Sequence, residues 1–256
     1  MTLEPDSTHY GGDLESDLTS LPGWKAANLE TRARIVRAAV RYLAEQGPEP
    51  EEWFGKEVIY RPALAGYRAL RLLAQEHPEK LRALPAAVWS QWAPIVIAYP
   101  GAVSEIGYDL IALAYQHAPT EIIRYLIGVI DQENSSDHPL SVLRKLKRCW
   151  DNRLAAALLA KVSDPALRPQ CMASLLGLLL EHKVPDARMF AESLIPLPPP
   201  PAGQERDRAI VAARVLITHS DDAGWSIVWP RFEADTAFGR DVLAAVTDYS
   251  DRDRSL

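Results

Sequence analysis

Histidine is the residue type in this sequence with the widest chemistry, because its imidazole ring can bind a metal ion or transfer a proton near neutral pH. The chain has six histidines: His9, His77, His117, His138, His182 and His219. Metal ligands on helices normally lie within a turn or two of each other, whereas four of the six close predicted helices that are far apart in the chain. An imidazolium ion also interacts favourably with a helix C-terminus. We therefore expect structural histidines and no metal site.

Other residue types capable of catalysis lack the spacing that catalysis requires. No glycine-rich elbow surrounds a serine, and no Ser or Cys lies in a motif with an oriented base. Gly55-Lys56 resembles the end of a phosphate-binding loop, but the earlier glycine and the following Ser or Thr are absent. Cys149 and Cys171 fit neither a disulfide framework nor a metal motif, so we expect buried free thiols. The sequence therefore predicts a protein that is not an enzyme and has no catalytic residues and no cofactor.

Aromatic and basic side chains at helical spacing are candidates for binding. Trp89 and Trp92 are typical of the core between helices, and the alternative is an aromatic platform on a concave surface. Arg61, Arg68 and Arg71 share part of a helix face. Salt bridges to neighbouring helices are one interpretation of these arginines, and recognition of an acidic partner is another. The sequence leaves the residues of the partner-binding surface unknown.

The elements that would position these residues are helices with a repeated ending. We call the residue that closes each predicted helix its stop; the stops are Gly47, His77, His117, Cys149, His182 and His219. The residues seven, four and three positions before each stop are apolar, apart from Lys145, and these spacings share one helix face. At Lys145 we expect the register to shift onto Leu143 and Leu146. One amphipathic helix cannot bury its apolar stripe alone, so the pattern predicts stacked helix pairs.

The predicted fold is all-α, specifically a HEAT-like right-handed α-solenoid of stacked antiparallel helix pairs. We predict an acidic, flexible N-terminal arm over residues 1–22 and a single α-solenoid domain over 23–256. A proline-rich connector is expected within that domain at 196–203. The predicted helices are 28–46, 60–77, 86–99, 105–117, 120–132, 139–150, 152–162, 169–182, 185–195, 205–219, 222–232 and 236–249.

Charge and hydropathy disfavour two classes of partner. The chain has a net charge of −6, and residues 1–24 carry five acids without Lys or Arg, which leaves −1 for the rest. This nearly neutral body lacks the basic excess of a dedicated nucleic-acid binder. We find no secretory signal and no run near the roughly 18 apolar residues of a membrane span. We therefore expect a soluble, cytoplasmic protein that binds neither a membrane nor nucleic acid.

Several segments together resemble one protein group. They are Leu21-Pro22-Gly23-Trp24, Thr31-Arg32-Ala33-Arg34-Ile35, Trp53, Tyr60-Arg61-Pro62-Ala63-Leu64-Ala65-Gly66-Tyr67-Arg68-Ala69-Leu70, Trp89-Ser90-Gln91-Trp92-Ala93-Pro94-Ile95, Leu143-Arg144-Lys145-Leu146 and Trp150-Asp151. Most of residues 21–195 is similar to the helical-repeat region that follows the ATPase core in large bacterial NACHT/STAND-type proteins. The resemblance implies a ligand-sensing arm, in a group with several members that defend bacteria against phage. No Walker motif is present, so it implies no nucleotide-binding residue, and an ATPase of the same system becomes a candidate partner.

Two functions from different classes follow. The first is a non-catalytic protein-binding helical-repeat module, a sensor or scaffold that holds protein partners on its concave surface. The alternative is a HEAT-like nucleic-acid-binding protein or DNA glycosylase, with concave aromatic residues and basic phosphate contacts. Its candidate residues are the aromatics Trp89, Trp92, Trp150, Trp225 and Trp229 and the basic run Arg144, Lys145, Lys147 and Arg148. Because such a run is typical of a solvated helix face, the first function is favoured.

Overall fold

The computed structural model describes residues 17–56, 58, 60–99, 104–136, 140–219 and 221–253, without the side chains of 221, 222 and 248–253. Every regular element in these ranges is helical, so the all-α prediction is confirmed for them. The α-helices are α1 (Pro22–Ala26), α2 (Leu29–Glu45), α3 (Pro50–Trp53), α4 (Arg61–Glu76), α5 (Pro78–Arg82), α6 (Ala86–Ala98), α7 (Glu105–His117), α8 (Pro119–Ser135), α9 (Asn152–Val162), α10 (Pro169–Glu181), α11 (Pro185–Ser193), α12 (Gln204–His219), α13 (Asp221–Ala234) and α14 (Thr236–Asp253). The 3₁₀ helices are Leu18–Ser20 and Ser141–Leu146.

Capping residues determine where several of these helices begin. The side chain of Asn28 accepts a hydrogen bond from the Thr31 amide at 2.9 Å, and Asp151 accepts one from the Leu154 amide at 2.9 Å. Each bond satisfies a donor that the first helical turn otherwise leaves unpaired. The helix starts predicted at Asn28 and Asp151 are therefore confirmed.

The predicted helix over 139–150 is wrong. Residue 139 lies outside the described residues, and only Ser141–Leu146 is helical, in the tighter 3₁₀ form. Residues three apart lie above one another in a 3₁₀ helix, so Val142 and Lys145 turn to the same side and both are buried. The predicted shift of register onto Leu143 and Leu146 is therefore wrong, because Lys145 stays buried in the original register and Leu143 is only half-buried. Leu146, which is buried, belongs to both registers.

The described residues fall into two compact units. Unit 1 comprises the residues up to Gln132 together with Ser141–Trp150, and unit 2 comprises Glu133–Leu140 and the residues from Asp151 onward. The single solenoid domain over 23–256 stays a prediction. Of the predicted arm, residues 1–16 lie outside the described part, whereas a 3₁₀ helix and the first residue of α1 occupy its C-terminal end.

Unit 1 brings together the elements that the sequence pattern aligned. α2 packs on α4, α4 on α7, and α7 on the 3₁₀ helix Ser141–Leu146, while α6 packs against α4 and α7. Leu70, Leu110 and Val142, each seven residues before a stop, have no exposed surface. The predicted apolar stripe therefore faces the interior at these positions, whereas in α2 Leu43 is buried, Val40 is half-buried and Ala44 is exposed.

Trp92 on α6 ties three helices of unit 1 together. Its ring lies against Gly66 on α4 so closely that a Cβ atom at Gly66 would come within 1.8 Å of a ring carbon. Its indole N–H donates a hydrogen bond to the carbonyl oxygen of Leu43 at 2.9 Å. This carbonyl lies in the last turn of α2, where the helix itself provides no donor.

Unit 2 shows a similar arrangement of neighbouring helices. α9 packs on α10, α11 packs on α10 and α12, and α12 packs on α10, α13 and α14. Its fully buried side chains include Leu158, Leu175, Leu179, Ala212, Leu216, Phe238 and Val242. Arg231 on α13 donates to the carbonyl oxygen of Ile195, just after α11, at 2.8 Å. A side chain from a later helix thus again satisfies the end of an earlier one.

No helix within the described ranges is long and apolar enough to cross a membrane.

Candidate binding cleft in unit 1

A cleft of about 490 Å³ lies between α4 and α5 on one side and α7 on the other. The chain reverses at His77, whose backbone leaves the helical conformation and whose N–H closes α4 by bonding to the Leu73 carbonyl at 2.9 Å. Pro78 then starts α5, since a proline at the first helical position loses no hydrogen bond. This change of direction leaves space beside α7.

Apolar side chains form part of the wall of the cleft, beside the polar side chains of Arg82, Asp109, Gln116 and Arg148. Leu81 on α5 and Leu110 on α7 are buried, while Ala74, Ile106 and Leu113 are half-buried and line the opening. A ligand that covered these side chains would gain roughly 25 cal/mol for each Å² of apolar surface removed from water. The walls therefore suit an aliphatic or aromatic side chain.

Arg148 also lines the cleft and forms a network with two acids. Its guanidinium group donates hydrogen bonds to Asp109 and to Glu105 on α7. The hydrogen bond to Asp109 is the largest cause of the raised pKa of Arg148. Because two carboxylates neutralise this cation, Arg148 contributes shape and hydrogen bonding rather than uncompensated charge.

At the rim, Arg82 and Gln116 have polar groups that are available to a ligand. Both side chains are exposed, and neither forms a hydrogen bond or ion pair with the rest of the described chain. Arg82 offers a fixed array of N–H donors, and Gln116 offers both a donor and an acceptor. Carboxylates and peptide groups are the matching ligand chemistry.

Lys145 holds the segment that carries Arg148. Its side chain is only 6% exposed, and its ammonium group donates to the carbonyl oxygens of Ile97 at 2.8 Å and Tyr99 at 2.9 Å. These carbonyls lie at the C-terminal end of α6, where a cation is favoured by the helix dipole. Lys145, which interrupts the apolar repeat pattern, thus joins the 3₁₀ helix Ser141–Leu146 to the end of α6 by buried hydrogen bonds.

The predicted solvated basic face is wrong for Lys145, which is buried, whereas Arg148 is exposed but paired with Asp109 and Glu105. Arg144 and Lys147 are exposed, as predicted. The run therefore does not provide a row of free cations for phosphates.

The interpretation of Trp89 and Trp92 as core residues is confirmed, and the aromatic platform is wrong for both. Neither side chain has exposed surface. Trp89 stacks on His117 with 5.9 Å between ring centroids and 13° between ring planes. In unit 2, by contrast, Trp225 and Trp229 on α13 are 37% and 55% exposed. Trp150 is half-buried.

The three arginines at helical spacing on α4 do not act as one group. Arg71 lies 3.9 Å from a carboxylate oxygen of Asp17, which belongs to the predicted N-terminal arm and not to a neighbouring repeat, while Arg61 is exposed and Arg68 is half-buried. Burial, the largest single influence, acts to raise the pKa of Asp17. Hydrogen bonds from Thr19 and Gln75 and the charge of Arg71 together outweigh burial, so the net pKa lies below its ordinary value.

No protein-family model, curated protein or solved structure matches this chain.

The described histidines occupy helix ends, as predicted. His77 and His182 cap α4 and α10, and His117 and His219 are the last residues of α7 and α12. His9 and His138 lie outside the described residues. Within the described part, no group of three His, Cys, Asp or Glu residues is arranged to hold a metal ion.

Both cysteines are buried free thiols, as expected. Burial is the largest cause of the raised pKa of Cys171, although Arg168 donates a hydrogen bond to its sulfur at 3.3 Å. A raised pKa lowers the thiolate fraction and therefore the reactivity of a thiol.

Sequence analysis missed the cleft residues Arg82 and Gln116. The sequence signal that could have pointed to this cleft was His77-Pro78, which was interpreted only as the end of one helix. A proline directly after a helix stop also indicates that a new helix begins there in another direction. An exposed cation four residues later, beside the buried Leu81, would then mark the rim of a cleft.

Proposed function

We propose that the protein is a non-catalytic, protein-binding helical-repeat module, and that it holds a segment of its partner in the cleft of unit 1. The observation that carries the proposal is the cleft itself, in which apolar side chains from α4, α5 and α7 lie beside unpaired donors at Arg82 and Gln116. Apolar walls with a few convergent polar groups are characteristic of ligand sites.

The packing order within each unit supports the repeat part of the proposal. In unit 1, α2, α4, α7 and the 3₁₀ helix contact each other in sequence, and in unit 2, α10, α12 and α14 do so. Contacts between successive repeats are characteristic of helical-repeat proteins. Each unit is accordingly proposed to be a short, right-handed, HEAT-like stack of antiparallel helix pairs.

The wider role that we propose rests on the resemblance of residues 21–195 to the repeat region of NACHT/STAND-type proteins. The protein would be the sensor or scaffold part of such a system, in the bacterial cytoplasm, with an ATPase as a second partner and defence against phage as the outcome. Co-purification of an ATPase with the tagged chain, from cells that express both, supports this role. Recovery of the chain without any ATPase contradicts it.

The nucleic-acid alternative loses its main supports, because Trp89, Trp92 and Lys145 are buried and Arg148 is paired with acids. We therefore do not propose it as a second function.

The cleft is tested by filling it. Ala112 on α7 lines the cleft and is half-buried, so Ala112→Trp places an indole ring in the opening without entering the core. Ala65→Trp is the matched control, since Ala65 is exposed on α4 and does not line the cleft. Panning a random peptide display library against the wild-type protein should enrich peptides that bind it.

We expect these peptides to lose binding to Ala112→Trp and to retain binding to Ala65→Trp. Failure to enrich any peptide, or equal binding to wild type and Ala112→Trp, contradicts the proposed function. Circular dichroism should show the same helix content for both variants.

A further inference from the structure

The two arginines of the cleft differ in what surrounds them. Arg148 is held by Asp109 and Glu105, whereas Arg82 makes no hydrogen bond or ion pair within the described chain. Arg82 lies in the last turn of α5, directly after the buried Leu81. An uncompensated guanidinium group therefore stands beside an apolar wall.

The net charge of unit 1 is small, so the charge of the cleft is decided by its own side chains. Residues 1–132 and 141–150, which make up unit 1, carry 16 Lys and Arg against 17 Asp and Glu, a net charge of −1. Among the charged residues that line the cleft, Arg148 and Asp109 form an ion pair with each other, which leaves the charge of Arg82 uncompensated within the described chain.

We propose that the partner segment recognised by this cleft carries a carboxylate beside an apolar side chain, and that Arg82 selects the carboxylate. The inference rests on the proposed function. The apolar side chain contacts Leu81, Leu110 and Leu113, while Arg82 donates its N–H groups to the carboxylate. Gln116 bonds to a peptide group of the same segment.

A protein carboxylate fits this arrangement better than a nucleic-acid backbone does. Phosphates spaced along a strand require several free cations in a row. Arg82 is the one charged lining residue of the cleft that has no ion-pair partner within the described chain. The apolar walls beside it match a side chain such as Leu or Phe, which a phosphate backbone lacks.

The test uses the full chain and pools of short fluorescein-labelled peptides rich in Leu and Phe. The pools are identical except that their variable positions hold Glu, Gln or Lys. Fluorescence anisotropy measures the affinity of wild-type protein and of Arg82→Glu for each pool, and a labelled single-stranded oligonucleotide is a further probe. Arg34→Glu is the matched control, because Arg34 is exposed on α2, has no ion-pair partner within the described chain and does not line the cleft.

We expect wild-type protein to prefer the Glu pool over the Lys pool by about tenfold, the factor that roughly 1.4 kcal/mol gives. Arg82→Glu should reverse this preference, whereas Arg34→Glu and the conservative Arg82→Lys should preserve it. Added salt should weaken the Glu pool more than the Gln pool.

Three results would overturn the proposal. The first is equal affinity of the wild-type protein for all pools, in peptides that compete with the display-selected peptides that Ala112→Trp fails to bind. This result would show that the cleft binds peptides but has no charge preference. The second is an equal loss of Glu-pool binding in Arg34→Glu, which assigns the preference to general charge. The third is tight oligonucleotide binding that Arg82→Glu abolishes. If no peptide pool binds at all, both the carboxylate preference and the proposed peptide-binding function are contradicted.

Discussion

The ring of Trp92 occupies the space where Gly66 has no side chain, and this contact joins α6 to α4. Both elements belong to unit 1, and α4 forms one side of the cleft. A glycine is required here for close approach of a helix and an indole ring, not for an unusual backbone conformation.

Gly66→Ala is expected to destabilise the protein by about 1–3 kcal/mol, because the added methyl group overpacks the contact with Trp92. The free energy of unfolding in urea measures the effect. Ala65→Ser, at the exposed neighbouring position, should change it little. Wild-type stability of Gly66→Ala would show that α6 can move away from α4 at small cost.

Lys145→Met should also destabilise the protein, by about 1–3 kcal/mol, since two buried carbonyl oxygens lose a charged donor. Arg144→Met tests the same substitution at an exposed cation one residue earlier. Chemical denaturation of both variants provides the comparison. A loss of stability in Arg144→Met as large as that in Lys145→Met would contradict the role of the buried ammonium group.

Asp17 predicts a dependence of stability on pH. Its pKa is lower in the folded protein than its ordinary value, so the unfolded chain binds more protons between the two values. The contribution of Asp17 is therefore present above its ordinary pKa of 3.8 and is lost as pH falls through the lower folded pKa.

The measurement is the difference in unfolding free energy between wild type and Asp17→Asn. We expect the wild-type advantage to be constant at neutral pH and to shrink below about pH 4. If the stability advantage of wild type over Asp17→Asn grew as the pH fell, the pKa of Asp17 would be raised in the folded protein, and the assignment of a lowered pKa would be refuted.

The exposed tryptophans of unit 2 predict a specific fluorescence change. The chain has seven tryptophans, of which Trp225 and Trp229 are the exposed ones in the described residues. Replacing both with Phe should remove most of the emission that acrylamide quenches and shift the remaining emission to shorter wavelength. Trp24→Phe, at a buried position, should leave the quenchable fraction unchanged. Unchanged quenching of the double variant would show that both rings are covered in solution.

Periodicity predicted the helices well because it reports which face of a helix is buried. Leu70, Leu110 and Leu175 were placed on that face by spacing alone, and all are fully buried. The helix starts at Asn28 and Asp151 could also be predicted, because only a few residue types, those with short polar side chains, favour the capping position.

Spacing could not predict Lys145, because its burial depends on two carbonyls more than forty residues earlier in the chain. The same applies to the cleft. Its walls come from α4, α5 and α7, and Arg148 joins them from beyond α8. Such a site is defined by which elements meet, and a one-dimensional pattern does not contain that information.

The donors from Trp92 and Lys145 set an order of events on the ribosome. The carbonyl of Leu43 receives its donor 49 residues later in the sequence, and that of Ile97 receives its donor 48 residues later. The nascent chain must therefore pass residue 145, and release it from the exit tunnel, before the C-terminal end of α6 is fully bonded. A shorter nascent chain presents the carbonyl oxygens of Ile97 and Tyr99 without the ammonium donor that they have in the folded protein.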